Sequence, residues 1–298
     1  MKRPTVILLA LCLALLCCGA APAPRESGAK HMAVPPMATS DFHPEKAENS
    51  GKVSVDLSAV SEGYVAMCAY SSNRLKAQVL KDDMTYTYDI SSEGVPSILP
   101  LQCGDGRYTI RVLENVSTTK YAVVYVTERD VKLLDEFQPF LRPNDYARYD
   151  SSSECVKWAS LLAKQSKDAP EFIAGVYELI TGSIRYDSVK ASSVTTMYLP
   201  DADETLLSGK GICFDYASLA AAMLRSQGVP TKIIFGYVAP NDLYHAWNMF
   251  YTKEKGWITV SFEVGDDTWN RIDLTFSAGG APDEFVGDGS HYTEVYTY

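Results

Sequence analysis

A cysteine stands at the predicted start of a long helix in the second half of the chain. Residues 209–217 read Gly-Lys-Gly-Ile-Cys-Phe-Asp-Tyr-Ala, and the helix predicted after Cys213 spans residues 214–227 and ends at Gly228 and Pro230. Free N–H groups and the positive end of the helix dipole favour a thiolate at such a position. The same N–H groups can bind the oxyanion that forms when a thiolate attacks a carbonyl carbon. The pattern points to acyl transfer, although a buried and inert cysteine is the commoner use of this residue type.

A thiol nucleophile needs a base and a group that orients the base, and two residues later in the chain could fill these roles. His245 opens a β-like run, and its imidazole can take the thiol proton and return it. Asp273 lies on the returning strand of a predicted hairpin, where a carboxylate would orient the imidazole. Taken singly, His245 reads as a hydrogen-bonded structural histidine and Asp273 as a surface residue. Together with Cys213 they form the order of nucleophile, base and orienting acid that thiol acyl transfer requires.

The other candidates for these roles are weaker. Asp266 and Asp267 fall in a turn rich in Gly and Asp, so they are less favoured than Asp273 as the third member. The remaining histidines lie in the N-terminal tether or the C-terminal tail: His31, His43 and His291.

Two helices are predicted ahead of the cysteine segment. Ser152 or Ser153 can cap the first, which continues to Lys164, and Pro170 opens the second. A loop over residues 186–210 then leads to the cysteine segment. Helices followed by strands predict an α+β arrangement for this part of the chain.

At these residues the sequence resembles the transglutaminase-like superfamily, a papain-like branch of thiol enzymes, and is most similar to exported bacterial members with a β domain before the core. The resemblance implies a core of helices packed on an antiparallel sheet, with Cys213 as nucleophile, His245 as general base and acid, and Asp273 as orienting residue. Leu274 departs from the family, which often has proline after the aspartate. The matching segments are residues 184–187, 198–200, 203–206, 209–217, 222–225, 228–230, 236–237, 245–247, 256–257 and 272–276.

The family's second oxyanion donor varies, and the resemblance offers Tyr198 as a candidate. No motif for a cofactor or a required metal is visible, so none is expected. Animal transglutaminases use calcium through acidic loops, and residues 201–204 read Asp-Ala-Asp-Glu. We interpret this run as solvated loop acid.

Residues 51–130 read as short strands between turn residues. Apolar and polar residues alternate in segments 53–57, 64–69, 75–80, 84–90, 108–113 and 121–126. This spacing predicts a small β-sandwich domain, immunoglobulin-like, ahead of a catalytic domain over residues 131–298. The region holds no nucleophile–base pair, so we expect a spacer or recognition module that is dispensable for chemistry.

Residues 1–20 read as an export signal. Lys2 and Arg3 precede an apolar run that is too short to span a membrane, which favours a cleaved signal peptide. The alternative is lipid attachment at Cys18, as in a bacterial lipoprotein, and this anchor would be the chain's link to a membrane. Residues 21–50 are rich in Pro, Ala and Ser and predict a flexible tether.

Three of the cysteines belong to the signal, and the others are Cys68, Cys103, Cys155 and Cys213. A nucleophilic Cys213 must stay free. Cys68 and Cys103 then form either a disulfide or two buried thiols.

Composition limits the partners. The 298 residues are 46% hydrophobic and carry a formal charge of -10, which suits a globular protein and disfavours nucleic acid. The sequence therefore predicts a secreted or cell-surface thiol enzyme that acts on protein or peptide amides. Cell-wall-associated proteins are one candidate group of substrates. Hydrolysis of an acyl-enzyme on Cys213 is favoured. The alternatives are protein-glutamine transamidation and a non-catalytic surface module that binds peptide or glycan.

Overall fold

The computed structural model describes residues 31–239, 242–258, 261–263, 269–271 and 292–298. The predicted export signal, Cys18 and the first part of the tether lie outside these residues. Within the described ranges, every helix is too short or too polar to cross a membrane.

The first half of the structure is a sandwich of two four-stranded antiparallel sheets, with strand orders β1-β2-β3-β6 and β5-β4-β7-β8. Their strands are β1 (Glu48–Ser50), β2 (Val53–Asp56), β3 (Tyr64–Ala69), β4 (Leu75–Lys81), β5 (Met84–Ile90), β6 (Ser97–Pro100), β7 (Gly106–Ser117) and β8 (Lys120–Val131). Side chains alternate along β4, where Leu75, Ala77 and Val79 are buried between the sheets. The predicted sandwich is confirmed.

The second half begins with helices packed around one central helix, α5 (Cys213–Ser226). The others are α1 (Glu154–Gln165), α2 (Ala169–Ser183), α3 (Ser188–Ser193) and α4 (Ala202–Ser208). Helix α5 is buried on every side, and its alanines let neighbouring elements approach closely. The predicted loop over residues 186–210 contains α3 and α4, so that prediction was wrong. Asp187 and Asp201 accept backbone N–H bonds as caps and so make these two short helices stable in a polar segment.

An antiparallel sheet of order β13-β12-β11-β16 packs against α5. Its strands are β11 (Thr231–Val238), β12 (Leu243–Thr252), β13 (Gly256–Ile258) and β16 (Tyr292–Thr297), while β9 (Arg185–Tyr186) pairs with β10 (Lys210–Gly211) and β14 (Ser261–Glu263) pairs with β15 (Trp269–Arg271). Helices on an antiparallel sheet confirm the predicted α+β core. The described part of the predicted hairpin is present as β14 and β15.

Residues 31–50 differ from the expected flexible tether. The Met32 N–H donates to the Ser166 carbonyl at 2.9 Å, and Arg142 Nη1 donates to the Thr39 carbonyl at 2.7 Å. His43 Nδ1 lies 2.9 Å from the buried Asp56 carboxylate. The segment stays in place because these contacts satisfy its backbone against both halves of the structure.

The two halves share one hydrophobic core. Buried residues of the sandwich are continuous with Phe214 of α5, Ala246 of β12 and Tyr298. The Tyr298 ring stacks on Tyr146 with centroids 4.1 Å apart and planes at 12°. This continuity differs from the expectation of a separable β region, and the boundary at residue 130 stays a prediction.

We therefore predict that a chain beginning at Leu133 will not fold cooperatively. Loss of the sandwich would expose Tyr298 and the aromatic rings that pack around it. Burial of each aromatic or large aliphatic side chain contributes about 2 kcal/mol to the free energy of unfolding. Thermal melting followed by circular dichroism measures this, with a chain beginning at His31 as control. A cooperative melt of the shorter chain would contradict the shared core.

Candidate active site

Cys213 is the first residue of α5, and its thiol is partly exposed. The residue before it, Ile212, is extended with φ of -99° and ψ of 175°, so the chain turns sharply into the helix. The first N–H groups of a helix have no acceptors within it, and Cys213 stands at this end of α5. The predicted placement of Cys213 at a helix start is confirmed.

The turn into α5 depends on Asp215, which is fully buried. Its Oδ2 atom accepts the Ile212 N–H at 2.7 Å. A Cβ atom on Gly211 would lie 2.7 Å from the Asp215 Cβ, so glycine is needed for this close approach. The Gly-Ile-Cys-Phe-Asp segment thus fixes the position of the thiol.

His245 lies near the start of β12 and is buried, with 3% of its surface exposed. Its Cα pairs with Gly236 on β11, and its ring is roughly parallel to Trp247 at a centroid distance of 6.3 Å. Trp247 in turn contacts Tyr292 of β16 with centroids 4.9 Å apart. A side chain at Gly236 would clash with the Thr293 carbonyl, so β16 and the histidine strand require glycine between them.

Cys213 and His245 line the same cavity, whose volume is about 680 Å³. Thr87 and Asp89 of β5 contribute a wall from the sandwich, and Asp89 is paired with Arg74 at 2.6 Å. The rest of the lining includes seven aromatic side chains: Tyr146, Tyr186, Tyr198, Phe214, Phe235, Tyr244 and Tyr298. Such walls suit the apolar or aromatic groups of a ligand.

Tyr198 lines this cavity, but its hydroxyl donates to Asp215 Oδ1. A tyrosine has one O–H donor, so in this structure the donor that an oxyanion would need is engaged. Lys190 Nζ pairs with Asp215 Oδ2 at 2.8 Å and lies 4.5 Å from the Tyr198 ring centroid. Asp215 therefore joins the start of α5 to α3 and to Tyr198.

Burial and neighbouring charge affect the tyrosines of the cavity. Burial, followed by the hydrogen bond to Asp215, raises the pKa of Tyr198. Burial and the nearby Cys213 raise the pKa of Tyr186. Both hydroxyls stay protonated at neutral pH, so they act as neutral donors or acceptors.

Cys155 shows the contrasting environment of an inert thiol. It is fully buried in α1, and burial followed by the neighbouring Asp203 raises its pKa. In the described part of the chain all cysteines are free, including Cys68, whose thiol donates to the Gly94 carbonyl at 3.0 Å.

The acidic run 201–204 has structural roles. Asp201 caps α4 by accepting the Glu204 N–H, and the Asp203 carboxylate accepts the N–H groups of Glu154 and Cys155 at the start of α1, each at 2.8 Å. The described residues contain no group of acidic, histidine and cysteine side chains that could hold a metal ion.

The structure brings together Cys213, His245 and Tyr198, whereas Asp273, Asp266 and Asp267 lie outside the described residues. Sequence reasoning missed Lys190, Asp215 and the β5 wall. An aspartate in the first turn of a predicted helix is a capping signal that could have identified Asp215. The contributions of Thr87 and Tyr298 have no local sequence signal.

Comparison with known proteins identifies a family for the central region. The profile described as the transglutaminase-like superfamily matches residues 154–262, which include Cys213 and His245 and end before Asp273. No curated protein sequence matches the chain significantly.

Three solved structures are similar at low sequence identity. A candidate cysteine protease from Cytophaga hutchinsonii is 15% identical, with 85% of this chain and 83% of that chain covered and a TM-score of 0.40. The periplasmic domain of TgpA from Pseudomonas aeruginosa is 15% identical, with coverages of 86% and 80% and a TM-score of 0.37. Red sea bream transglutaminase is 11% identical, with coverages of 67% and 48% and a TM-score of 0.30. These similarities are distant, so the family assignment depends on the profile match: residues 154–262 form a domain of the transglutaminase-like superfamily.

Proposed function

We propose that the protein is an exported thiol enzyme that forms an acyl-enzyme on Cys213 with peptide or protein amides. The observation that carries this proposal is one cavity lined by a thiol at a helix start and by a buried histidine. Membership of residues 154–262 in the transglutaminase-like superfamily supports the same chemistry.

In the proposed reaction His245 takes the Cys213 proton, and the thiolate attacks the carbonyl carbon of the amide. The N–H groups at the start of α5 stabilise the oxyanion. The imidazolium then protonates the leaving amine, and a thioester remains on Cys213. Water activated by His245 releases the acid in the hydrolytic version that we favour, and an amine takes its place in transamidation.

Two parts of the proposal concern residues outside the described ranges. Asp273 is the proposed partner that orients His245. Residues 1–20 are the proposed export signal, with lipid attachment at Cys18 as the alternative that would keep the enzyme at a membrane surface.

The cleft favours substrates with apolar side chains near the reacting amide. Its aromatic walls and a volume of about 680 Å³ suit a peptide segment of a few residues. The rim is apolar too, with Met197 and Tyr244 each 52% exposed. We propose proteins or peptides as the substrate class on this ground.

The reactivity of the Cys213 thiol tests its proposed role as nucleophile. An ordinary cysteine, with a thiol pKa of about 8.5, is almost fully protonated at pH 6. We expect wild-type protein to react with iodoacetamide at pH 6 at least about tenfold faster than the His245→Ala variant, because the imidazole shifts the proton from the thiol. Mass spectrometry should locate the adduct at Cys213, and Cys213→Ser should lose it.

In the same experiment Cys155 serves as the internal control, because it is buried and should label slowly in every variant. Equal labelling of Cys213 and Cys155, or the same pH dependence with and without His245, would contradict a thiol activated by the histidine.

The reaction class is tested with a mixed peptide library, with and without a primary amine, and with Cys213→Ala as the matched control. We expect peptide cleavage by the wild type without amine. Incorporation of amine into peptides would identify a transamidase instead. A folded protein that binds peptides but changes none of them would support a non-catalytic surface module.

A further prediction concerns the third catalytic residue. Asp273→Asn should lower turnover strongly with little change in melting temperature, since loss of an orienting carboxylate can cost on the order of 10⁴ in a serine triad. Thiol enzymes lose less when the thiolate–imidazolium pair forms without it. Asp266→Asn and Asp267→Asn are the matched controls and should be near neutral. An inactive Asp267→Asn together with a fully active Asp273→Asn would refute the assignment.

A further inference from the structure

One side of the catalytic cavity is a short stretch of chain, residues 188–199, which we call the cleft wall. Helix α3 forms its first part, and residues from Ala191 to Leu199 supply much of the cavity lining. Its outer side faces solvent, with Val189 78% exposed. A six-residue helix followed by a turn has little stability of its own, so other contacts must hold the wall in place.

Those contacts converge on a single carboxylate. In the described part of the chain, apart from the Asp187 cap, the polar contacts that tie the cleft wall to other elements go to Asp215. Lys190 Nζ pairs with Oδ2 at 2.8 Å, and the Tyr198 hydroxyl donates to Oδ1. Lys190 is 30% exposed, whereas Asp215 is fully buried, so the ion pair is largely shielded from water.

The same carboxylate holds the nucleophile. Asp215 Oδ2 accepts the N–H of Ile212, the residue before Cys213. Any shift of Asp215 would therefore move the thiol and the cleft wall together. A buried charge that satisfies three donors in one geometry makes such a shift costly.

We propose that Lys190 and Tyr198 are positioning residues, which act through Asp215 to fix the distance between the cleft wall and Cys213 and thereby select for peptide-sized substrates. This inference rests on the proposed thiol chemistry but assigns no chemical step to either residue. It gives Tyr198 a role other than oxyanion donor, consistent with the commitment of its O–H group to Asp215.

The test compares a small and a large electrophile on the full chain. Iodoacetamide needs only the thiol, whereas a tetrapeptide chloromethyl ketone ending in phenylalanine must also fit against the wall. In both reactions the thiolate forms a C–S bond and displaces a halide. We expect Lys190→Met to slow the peptide reagent about tenfold or more while iodoacetamide changes less than about twofold, because misplacement by about 1 Å can cost 10²-fold.

Three further variants sharpen the result. Lys190→Arg should retain most of the wild-type rate with the peptide reagent, because arginine keeps a positive charge beside Asp215. Tyr198→Phe should also slow the peptide reagent, and combining it with Lys190→Met should add little, since both act through one carboxylate. Lys157→Met is the matched control, because Lys157 pairs with Glu154 at 2.6 Å on the exposed face of α1 and should not affect either reagent.

Hydrogen exchange gives a readout that does not depend on thiol chemistry. Amides of residues 188–199 should exchange faster in Lys190→Met, while those of α5 keep their wild-type rates. Equal slowing of both reagents, unchanged exchange in the wall, or melting of the whole protein would overturn the positioning role. So would a loss of about 100-fold in acylation by p-nitrophenyl acetate in Tyr198→Phe, since an oxyanion donor has an effect of that size.

The two proposals fail in different ways. Slow iodoacetamide labelling of the wild type would refute the activated thiol, and the exchange of residues 188–199 would still decide whether Lys190 holds the wall. Fast labelling of the wild type, with equal response of both reagents to Lys190→Met, would refute the positioning role alone.

Discussion

One buried guanidinium holds together the segments that make the cleft. Arg225 of α5 is fully buried, and it donates to the carbonyl oxygens of Thr231, Arg142 and Tyr298 at 2.8, 3.2 and 3.0 Å. Burial lowers its pKa to about 10, which leaves the group charged at neutral pH. The start of β11, the connection between the two halves and the residue after β16 therefore meet at one helix. A hydrophobic contact could not impose this arrangement, because only a planar fork of donors fixes several carbonyls in direction as well as distance.

The sequence predicted those elements whose signals are local. Strands β3 and β5 have the predicted bounds because apolar and polar residues alternate between clear turn residues. Helix α5 was recognisable from its apolar spacing and the Gly228-Val-Pro ending. The very short strands β1 and β6 have too few residues for a periodic signal. Strand β16 was missed because its place in the sheet is set by pairing with β11, which lies far away in the sequence.

The candidate site shows the same division between local signals, which the sequence carries, and contacts between distant segments, which it does not. Cys213 and His245 stand in short segments whose residue types suggest a chemistry, so the sequence singled out both. Both line the cavity, and their catalytic roles stay predictions. The ion pair between Lys190 and Asp215 joins two elements across a loop, and neither residue signals its partner. Capping shows the same limit: Ser153 precedes α1 as predicted, but the N–H bonds at that helix start go to Asp203, far along the chain.

The position of β16 has a consequence for how the protein matures. This strand is synthesised after all the other described elements, yet it pairs with β11, and the neighbouring Tyr298 ring forms part of the cavity that contains Cys213. The helix that begins at Cys213 is thus synthesised well before the last wall of the cavity. Pairings between distant segments are also slow to form. Under the proposed function, the growing chain would cross a membrane in a latent form and gain access to large substrates only when the late strand docks.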